Sequence, residues 1–280
     1  MRRNARRWRE HSRVPVWAVV KANGYGWGAR SLIRLLEDEV EGFFVADADE
    51  ARAARAVTAR PIALLAASGP EETIELLDAH MVPNVASLEA LAAADRWARA
   101  HGTRARIRVG IVPAAGWSGL LEDAVESFAE AAGQAAVDVV LWTHLTAADL
   151  WSAQQERFDA ARARFTAAGA SIVGTDVAGS FVSAHEGRSV DRLVRIGIGL
   201  FCASGARAED LKLECAIRIS APVTAVLRSD AVRSAGYRGE ERIALPWLAV
   251  VRCGYSDGLP ARLAGTNNIV SIGMQYAVLA

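Results

Sequence analysis

Short apolar runs alternate with longer segments of helical period over residues 14–202. The runs are rich in Val, Ile, Leu and Phe and are bounded by Gly, Pro or charged residues, which is typical of buried strands. They lie at residues 14–22, 42–46, 61–67, 81–86, 105–112, 137–143, 171–176 and 194–202. Between them, apolar residues recur every three to four positions and predict helices at 49–58, 70–80, 87–101, 120–132 and 152–168.

Eight strands separated by helices indicate an α/β protein built as a parallel (β/α)8 TIM-type barrel. A doubly wound open sheet is the alternative, because a strand count does not establish closure. The first strand is not followed by the glycine fingerprint of a dinucleotide site, which weakens that alternative. The helix at 87–101 is expected to begin with Ser87 as its N-cap.

The alternation of predicted strands and helices ends after residue 207. Strand-like runs at 211–228, 242–253 and 269–279 have little helix between them, and turns at 236–239 and 257–260 separate them. The sequence therefore predicts two domains, a (β/α)8 barrel over 1–207 and a small, incomplete β-rich domain over 208–280.

Composition excludes several classes of protein. The formal net charge is +0, which argues against a protein built to bind nucleic acid or an anionic membrane. No apolar run approaches the roughly 20 residues needed to span a bilayer. Cys202, Cys215 and Cys253 show neither zinc nor redox spacing, so no metal site is expected, and sparse cysteine fits a cytoplasmic protein.

The first thirteen residues carry six arginines and one glutamate. They form either a targeting or anion-binding arm or the exposed face of a first helix. The apolar stretch that follows ends at a lysine and lacks a small-residue cleavage pattern, which favours the helix.

Lysine occurs only at Lys21 and Lys212, whereas the other 30 of the 32 basic residues are arginine. Arginine stays protonated and is a poor carbonyl nucleophile, while a lysine amine forms an imine. The bias therefore points to a lysine that arginine does not replace, although genome composition also produces such a bias.

The segment AVVKANGYGWG at 18–28 strongly resembles the cofactor-lysine motif of alanine racemases, the fold-type III pyridoxal-phosphate enzymes. Other segments resemble further motifs of that family and occur in the family's order. They are VVLWTH at 139–144, AGS at 178–180, VRIGIGLF at 194–201, GYRG at 236–239 and CGYSDG at 253–258. The resemblance covers nearly the whole chain.

The resemblance implies pyridoxal 5′-phosphate as the cofactor, bound covalently by Lys21. It also implies a role for seven other positions around that cofactor. The phosphate contacts would be Tyr25, Ser180 and the backbone N–H groups of Gly197 and Ile198, the ring would contact His144 and Arg195, and Tyr255 would lie in the substrate pocket.

The reaction implied is racemisation of a small amino acid by two bases, one on each face. Lys21 would serve one face and Tyr237, reaching in from the partner subunit of a homodimer, the other. Arg195 at the pyridine nitrogen would make the ring a weaker electron sink than a carboxylate partner does, which favours simple proton removal and return.

Several residues depart from the family's pattern. Arg108 replaces a lysine, Gly110 an aspartate and Trp117 the arginine that helps to hold a substrate carboxylate. Gly179 replaces an asparagine, and Asp176 stands where a histidine is common and is expected to weaken phosphate binding unless it turns away. The alternatives are therefore a catalytically impaired pyridoxal-phosphate-binding homologue, or a fold-type III decarboxylase or aldolase.

Overall fold

The computed structural model describes residues 1–112, 118–145, 150–180, 182–183, 193–201, 211–228, 246–260, 269–272 and 275–278. The chain divides into two compact units, Met1–Ala216 and Ile217–Ala280. The domain assignment made from the sequence, a cofactor-binding barrel over 1–207 and a β-rich domain over 208–280, stays a prediction.

The first unit is built on one eight-stranded parallel sheet. Its strands are β1 (Val16–Val19), β2 (Gly42–Val45), β3 (Ile62–Ala67), β4 (Val82–Asn84), β5 (Ala105–Gly110), β6 (Val137–Trp142), β7 (Ser171–Asp176) and β8 (Val194–Ile196). Their spatial order is β7-β6-β5-β4-β3-β2-β1-β8, so consecutive strands are neighbours and β1 pairs with both β2 and β8. This order lacks the reversal of a doubly wound sheet.

The ring closes just after β7. Gly179 forms a parallel bridge with Arg195 of β8, and the Arg195 N–H donates to the carbonyl of Ala178 at 3.0 Å. The predicted (β/α)8 barrel is thus confirmed, and the carboxyl ends of all eight strands meet at one rim, where barrel enzymes carry their active sites.

Helices follow most of the strands. They are α1 (Arg2–Ser12), α2 (Lys21–Tyr25), α3 (Ala29–Leu36), α4 (Ala48–Arg55), α5 (Pro70–Asp78), α6 (Leu88–Ala100), α7 (Val125–Gln134) and α8 (Trp151–Ala167). The predicted cap of α6 is confirmed, because the hydroxyl of Ser87 accepts from the Ala90 N–H at 3.2 Å. None of the helices among the described residues is long and apolar enough to cross a membrane.

A hydrophobic core cluster lies between the outer face of β5 and β6 and the helices α6, α7 and α8. Phe128 and Phe165 pack there with ring centroids 6.1 Å apart, and each is almost fully buried. Burial of each such ring stabilises the fold by roughly 1.5–3 kcal/mol. Because both faces of the strands are covered, β2 is buried at all four positions, which explains its uninterrupted apolar sequence.

The arginine-rich segment is a helix packed on the barrel. In α1, Trp8 is buried and its indole N–H donates to the Gly199 carbonyl at 3.1 Å. Outward-facing arginines form ion pairs with Glu39 and Glu214, including Arg7 to Glu214 at 3.1 Å. The helix alternative of the two predicted for this segment is the one that the structure shows.

The second unit contains two antiparallel hairpin sheets. In the first, β9 (Val223–Arg228) pairs with β10 (Trp247–Val251), and in the second, β11 (Ile269–Ile272) pairs with β12 (Gln275–Val278).

The predicted strand over 211–228 was wrong in its first part. There the backbone of Glu214 bonds to the side-chain amide of Asn4, at 2.7 and 2.8 Å, and no sheet forms.

Candidate active site

Lys21 begins a left-handed turn at the end of β1. Ala22, Asn23 and Tyr25 have φ angles of 53°, 51° and 55°, and Gly24 between them has φ 65°. Each non-glycine residue in this region costs roughly 1–2 kcal/mol. The predicted strand over 14–22 was therefore wrong at its end, because β1 stops at Val19 and the strained turn follows. Strain of this kind is concentrated at functional sites.

Gly24 shows why the turn needs a glycine at its centre. A Cβ built there would lie 2.7 Å from Leu32 Cδ1 and 3.1 Å from the backbone nitrogen of Ala29. The N–H of Gly24 donates to the Val20 carbonyl at 2.8 Å, so the turn is tied to the strand it follows. Lys21 and Tyr25 therefore stand at the two ends of one short, tightly held turn.

Tyr25, Ser180 and Gly197 converge below the rim. The hydroxyl of Tyr25 lies where a side chain on Gly197 would be, 2.1 Å from a Cβ built there. The Gly197 N–H donates to the hydroxyl of Ser180 at 3.2 Å, and Ile198 follows at the start of a short 3-10 helix, Ile198–Phe201. Burial raises the pKa of Tyr25 to about 12, so its hydroxyl remains a hydrogen-bond donor at neutral pH.

His144 lies at the end of β6 beside Arg195. Burial, and then the positive charges of Arg195 and Lys21, lower the pKa of His144 to about 4. The imidazole is therefore neutral, and its Nδ1 accepts a long hydrogen bond of 3.4 Å from Arg195 Nη2. A Cβ on Gly179 would lie 3.1 Å from His144 Cε1, so the glycine at 179 leaves room for this ring.

The lowered pKa of His144 predicts acid sensitivity. The unfolded chain takes up a proton near the ordinary pKa of 6.5, whereas the folded chain does so only near 4. The free energy of unfolding should thus fall by about 2 kcal/mol as the pH drops from 7.5 to 5. The check is denaturant unfolding at both pH values with His144→Gln, which should lose this part of the pH dependence. An unchanged dependence in the variant would show that His144 is not the group responsible.

Besides its contact with His144, Arg195 in β8 is held by three oxygen acceptors inside the barrel. Its Nη1 donates to the Asp176 carbonyl at 3.0 Å and is ion-paired with the Asp176 carboxylate, and its Nη2 donates to the Thr143 carbonyl at 2.8 Å. The side chain is 3 % exposed. Arg195 is therefore fixed in one orientation with its positive charge under the rim.

Asp176 is fully buried between two arginines. Its second carboxylate oxygen accepts from Arg108 Nη2 at 2.7 Å, and Arg108 Nη1 donates to the Leu64 carbonyl at 2.7 Å. The sequence analysis expected Asp176 to weaken phosphate binding unless it turns away, and the structure shows both of its carboxylate oxygens paired with guanidinium groups. Burial and the charge of Arg195 lower the pKa of Arg108 to about 10.

Aromatic rings complete this layer. The guanidinium carbon of Arg108 lies 4.5 Å from the ring centroids of both Phe44 and Trp142. The indole N–H of Trp142 donates to Asn84 Oδ1 at 2.9 Å. A Cβ on Gly110 would lie 3.0 Å from the Trp142 ring, so a larger side chain at 110 requires this ring to move.

Comparison with known proteins identifies the family. The sequence profile described as "Alanine racemase, N-terminal domain" matches residues 1–205. The alanine racemase of Beutenbergia cavernae is 34 % identical, over 95 % of this chain and 74 % of its own length. That of Rhodospirillum rubrum is 31 % identical, over 88 % of this chain and 67 % of its own. The chain belongs to the alanine racemase family. Its enzyme class is therefore that of the racemases, which are isomerases.

Solved alanine racemases have the same fold. The enzyme from a D-cycloserine-producing Streptomyces lavendulae superposes with a TM-score of 0.82 at 24 % identity, covering 98 % of this chain and 76 % of that one. The Streptomyces coelicolor A3(2) enzyme gives 0.80 at 24 % identity, covering 98 % and 78 %. The barrel and the small β-rich unit are thus both features of the family.

The described residues fit the pyridoxal phosphate used by alanine racemases. The hydroxyls of Tyr25 and Ser180 and the Gly197 N–H, which here donates to Ser180, are donors of the kind that a phosphate accepts. The glycine at 197 leaves space for them, because any Cβ there would collide with Tyr25. Lys21 begins the turn that ends in Tyr25, and its charge reaches His144. Among the described residues, no group of His, Cys, Asp or Glu is arranged to hold a metal ion.

Three further positions were singled out in the sequence. Tyr237 and Trp117 lie outside the described residues. Tyr255 belongs to the second unit, where it begins a 3-10 helix, Tyr255–Asp257, and is 63 % exposed. Their roles stay predictions.

The sequence did not identify two residues that support the site. Asn84 holds Trp142 and also donates to the Leu65 carbonyl at 2.8 Å, and Glu50 accepts from the backbone of Asn23 at 3.0 Å. The only available signal was the sequence from Asp47 to Glu50, whose acidic residues three apart are typical of a helix start. That pattern predicts a cap and says nothing of a contact 27 residues away.

Proposed function

We propose that this chain is a pyridoxal-phosphate-dependent racemase of small amino acids, with alanine as the first substrate to test. The proposal is carried by the strained turn of residues 21–25, which begins with Lys21 and ends with Tyr25 in the phosphate-type donor set. The names of the relatives suggest the substrate class, and the local geometry supports a cofactor site at this turn. The homodimer and the cytoplasmic location remain predictions from the sequence.

Each residue of the cluster has a proposed role in holding the cofactor. Tyr25, Ser180 and the backbone of Gly197 and Ile198 would hold the phosphate, and the neutral ring of His144 and the fixed charge of Arg195 would flank the cofactor ring. When bound, pyridoxal phosphate withdraws electrons from the substrate α-carbon, so that its hydrogen leaves as a proton.

Racemisation requires the proton to leave from one face of the α-carbon and to return on the other. The amine of Lys21 would move the proton on one face, and the hydroxyl of Tyr237 of the partner subunit on the opposite face. Tyr255 would line the substrate pocket. The fixed positive charge of Arg195 would oppose protonation of a ring nitrogen beside it, which would limit electron withdrawal and favour this simple proton exchange over bond cleavage.

The decisive experiment incubates the protein with pyridoxal phosphate and L-alanine in D2O. D-Alanine should form, with deuterium at the α-carbon of the product, as measured by chiral chromatography and NMR. Release of CO2 or of an aldehyde instead would favour a decarboxylase or an aldolase. A cofactor absorbance band without either product would favour the impaired homologue, and the absence of any band would overturn the cofactor proposal.

Tyr237→Phe should lower racemisation by about 10²–10⁴-fold, because one of the two proton-transfer groups is lost, while the cofactor absorbance band remains. Mixing this variant with Lys21→Ala under conditions of subunit exchange should restore up to about a quarter of the activity if sites are shared, since half the dimers then contain one intact site. Unchanged activity of Tyr237→Phe alone would remove this residue from the mechanism.

A further inference from the structure

Glu50 joins two segments at the rim of the barrel. It lies in the first turn of α4, and its carboxylate accepts two backbone hydrogen bonds. One comes from the Asn23 N–H to Oε1 at 3.0 Å, and the other from the Ala46 N–H to Oε2 at 2.8 Å. The helix does not need this side chain as its cap, because Asp47 Oδ1 already accepts from the Glu50 N–H at 2.9 Å.

The contact falls at the centre of the left-handed turn. Asn23 lies between Ala22 and Gly24, and all three have positive φ. Its side-chain oxygen accepts from the Ala29 N–H at 2.9 Å, so Asn23 is fixed toward α3 by its side chain and toward β2 and α4 by its backbone. A backbone in this strained region persists where its surroundings hold it. Glu50 supplies a charged acceptor to the turn, and hydrogen bonds to a charged group are the stronger kind.

We propose that Glu50 is a positioning residue for the cofactor site. It holds the left-handed turn, so that Lys21 at its start and Tyr25 at its end face the site together. Glu50 acts through the Asn23 backbone and is not a catalytic residue. The assignment of a cofactor to this site rests on the proposed function, but the contact between Glu50 and the turn does not.

A purely structural role for Glu50 makes different predictions. If the carboxylate only stabilised α4, its loss would lower stability without a specific effect on the turn. If it holds the turn, relief of the strain within the turn should compensate for its loss. Ala22 is exposed, so Ala22→Gly removes no packing and makes the left-handed conformation accessible without strain.

The first measurement uses the protein without cofactor. Amide hydrogen exchange in a peptide covering residues 21–28 should rise at least about tenfold in Glu50→Gln, which keeps the size of the side chain but not its charge. The matched control is Asp49→Asn, which removes a carboxylate from the same helical turn, where Asp49 pairs with Arg52 on the surface. Exchange in the control should stay within about twofold of the wild type. Equal exchange in Glu50→Gln and the control would overturn the proposal, whatever the cofactor.

The second measurement is the dissociation constant of pyridoxal phosphate, from titration of the absorbance band. Glu50→Gln should raise it at least about tenfold, and Glu50→Gln with Ala22→Gly should recover at least about threefold of that loss. The proposal would be overturned if Ala22→Gly neither recovered the affinity for the cofactor nor changed the amide exchange at residues 21–28. The role of Glu50 would then be structural. If the wild type itself gives no band, the proposed function fails, and the exchange measurement alone decides the role of Glu50.

Discussion

Replacing Lys21 with arginine is expected to abolish covalent cofactor attachment and to lower racemisation at least about a thousandfold. The guanidinium keeps the positive charge at the end of β1, and with it the electrostatic effect on His144. It stays protonated, however, and forms no imine with the cofactor aldehyde. The measurement is the absorbance band of the protein with pyridoxal phosphate, before and after borohydride.

The composition of the chain offers a matched control for this prediction. Lys21 and Lys212 are the only lysines, and both are exposed. Lys212→Arg should therefore retain the band, its loss on reduction and the racemase activity. After reduction, peptide mass spectrometry should find the cofactor on Lys21 alone. A band that persisted in Lys21→Arg and disappeared in Lys212→Arg would move the cofactor site away from the rim of the barrel.

The periodicity of the sequence predicted the strands of the barrel but not what happens at their ends. The apolar run that begins at residue 14 predicted β1 through residue 22, whereas the strand ends at Val19 and three non-glycine residues in the left-handed region come after it. Positive φ at Ala22 is set by the hydrogen bonds around it and leaves no mark in the hydrophobic pattern. Only the glycines at 24, 26 and 28 indicated that a tight turn lay nearby.

The candidate site was predictable where its residues lie at strand ends. Lys21, His144 and Arg195 could be assigned to one rim because the carboxyl ends of parallel strands meet there. The ion pairs could not be assigned in this way. Arg108 and Asp176 are 68 residues apart, and their contact depends on which side chains point across the barrel interior. Sequence reasoning treated them as two separate departures from the family, whereas the structure joins them in one buried network.

This network makes Asp176→Asn the change with the largest expected effect on stability. The substitution keeps the volume but leaves the buried guanidinium groups of Arg108 and Arg195 without the carboxylate between them. Removing one partner from a buried ion pair costs about 3–5 kcal/mol, because the remaining charge is uncompensated. Here two like charges remain, so we expect the free energy of unfolding to fall by at least this amount in denaturant unfolding of the cofactor-free protein.

A double-mutant cycle separates the charge from the lost hydrogen bonds. Arg108→Met alone leaves Asp176 paired with Arg195, so it should lower the free energy of unfolding by less than Asp176→Asn does. In the double variant, Arg108→Met removes one of the two unpaired charges. The double variant should therefore be more stable than Asp176→Asn alone by about 1–3 kcal/mol. The matched control is Asp138→Asn, because Asp138 pairs with Arg104 in a partly exposed site and should cost no more than about 1 kcal/mol. If Asp176→Asn were as stable as that control, the three buried groups would not act as one charged unit, and Arg195 would not depend on Asp176 for its orientation. In the intact network the buried charge of Arg195 is held under the rim, which is where the proposed cofactor ring would lie.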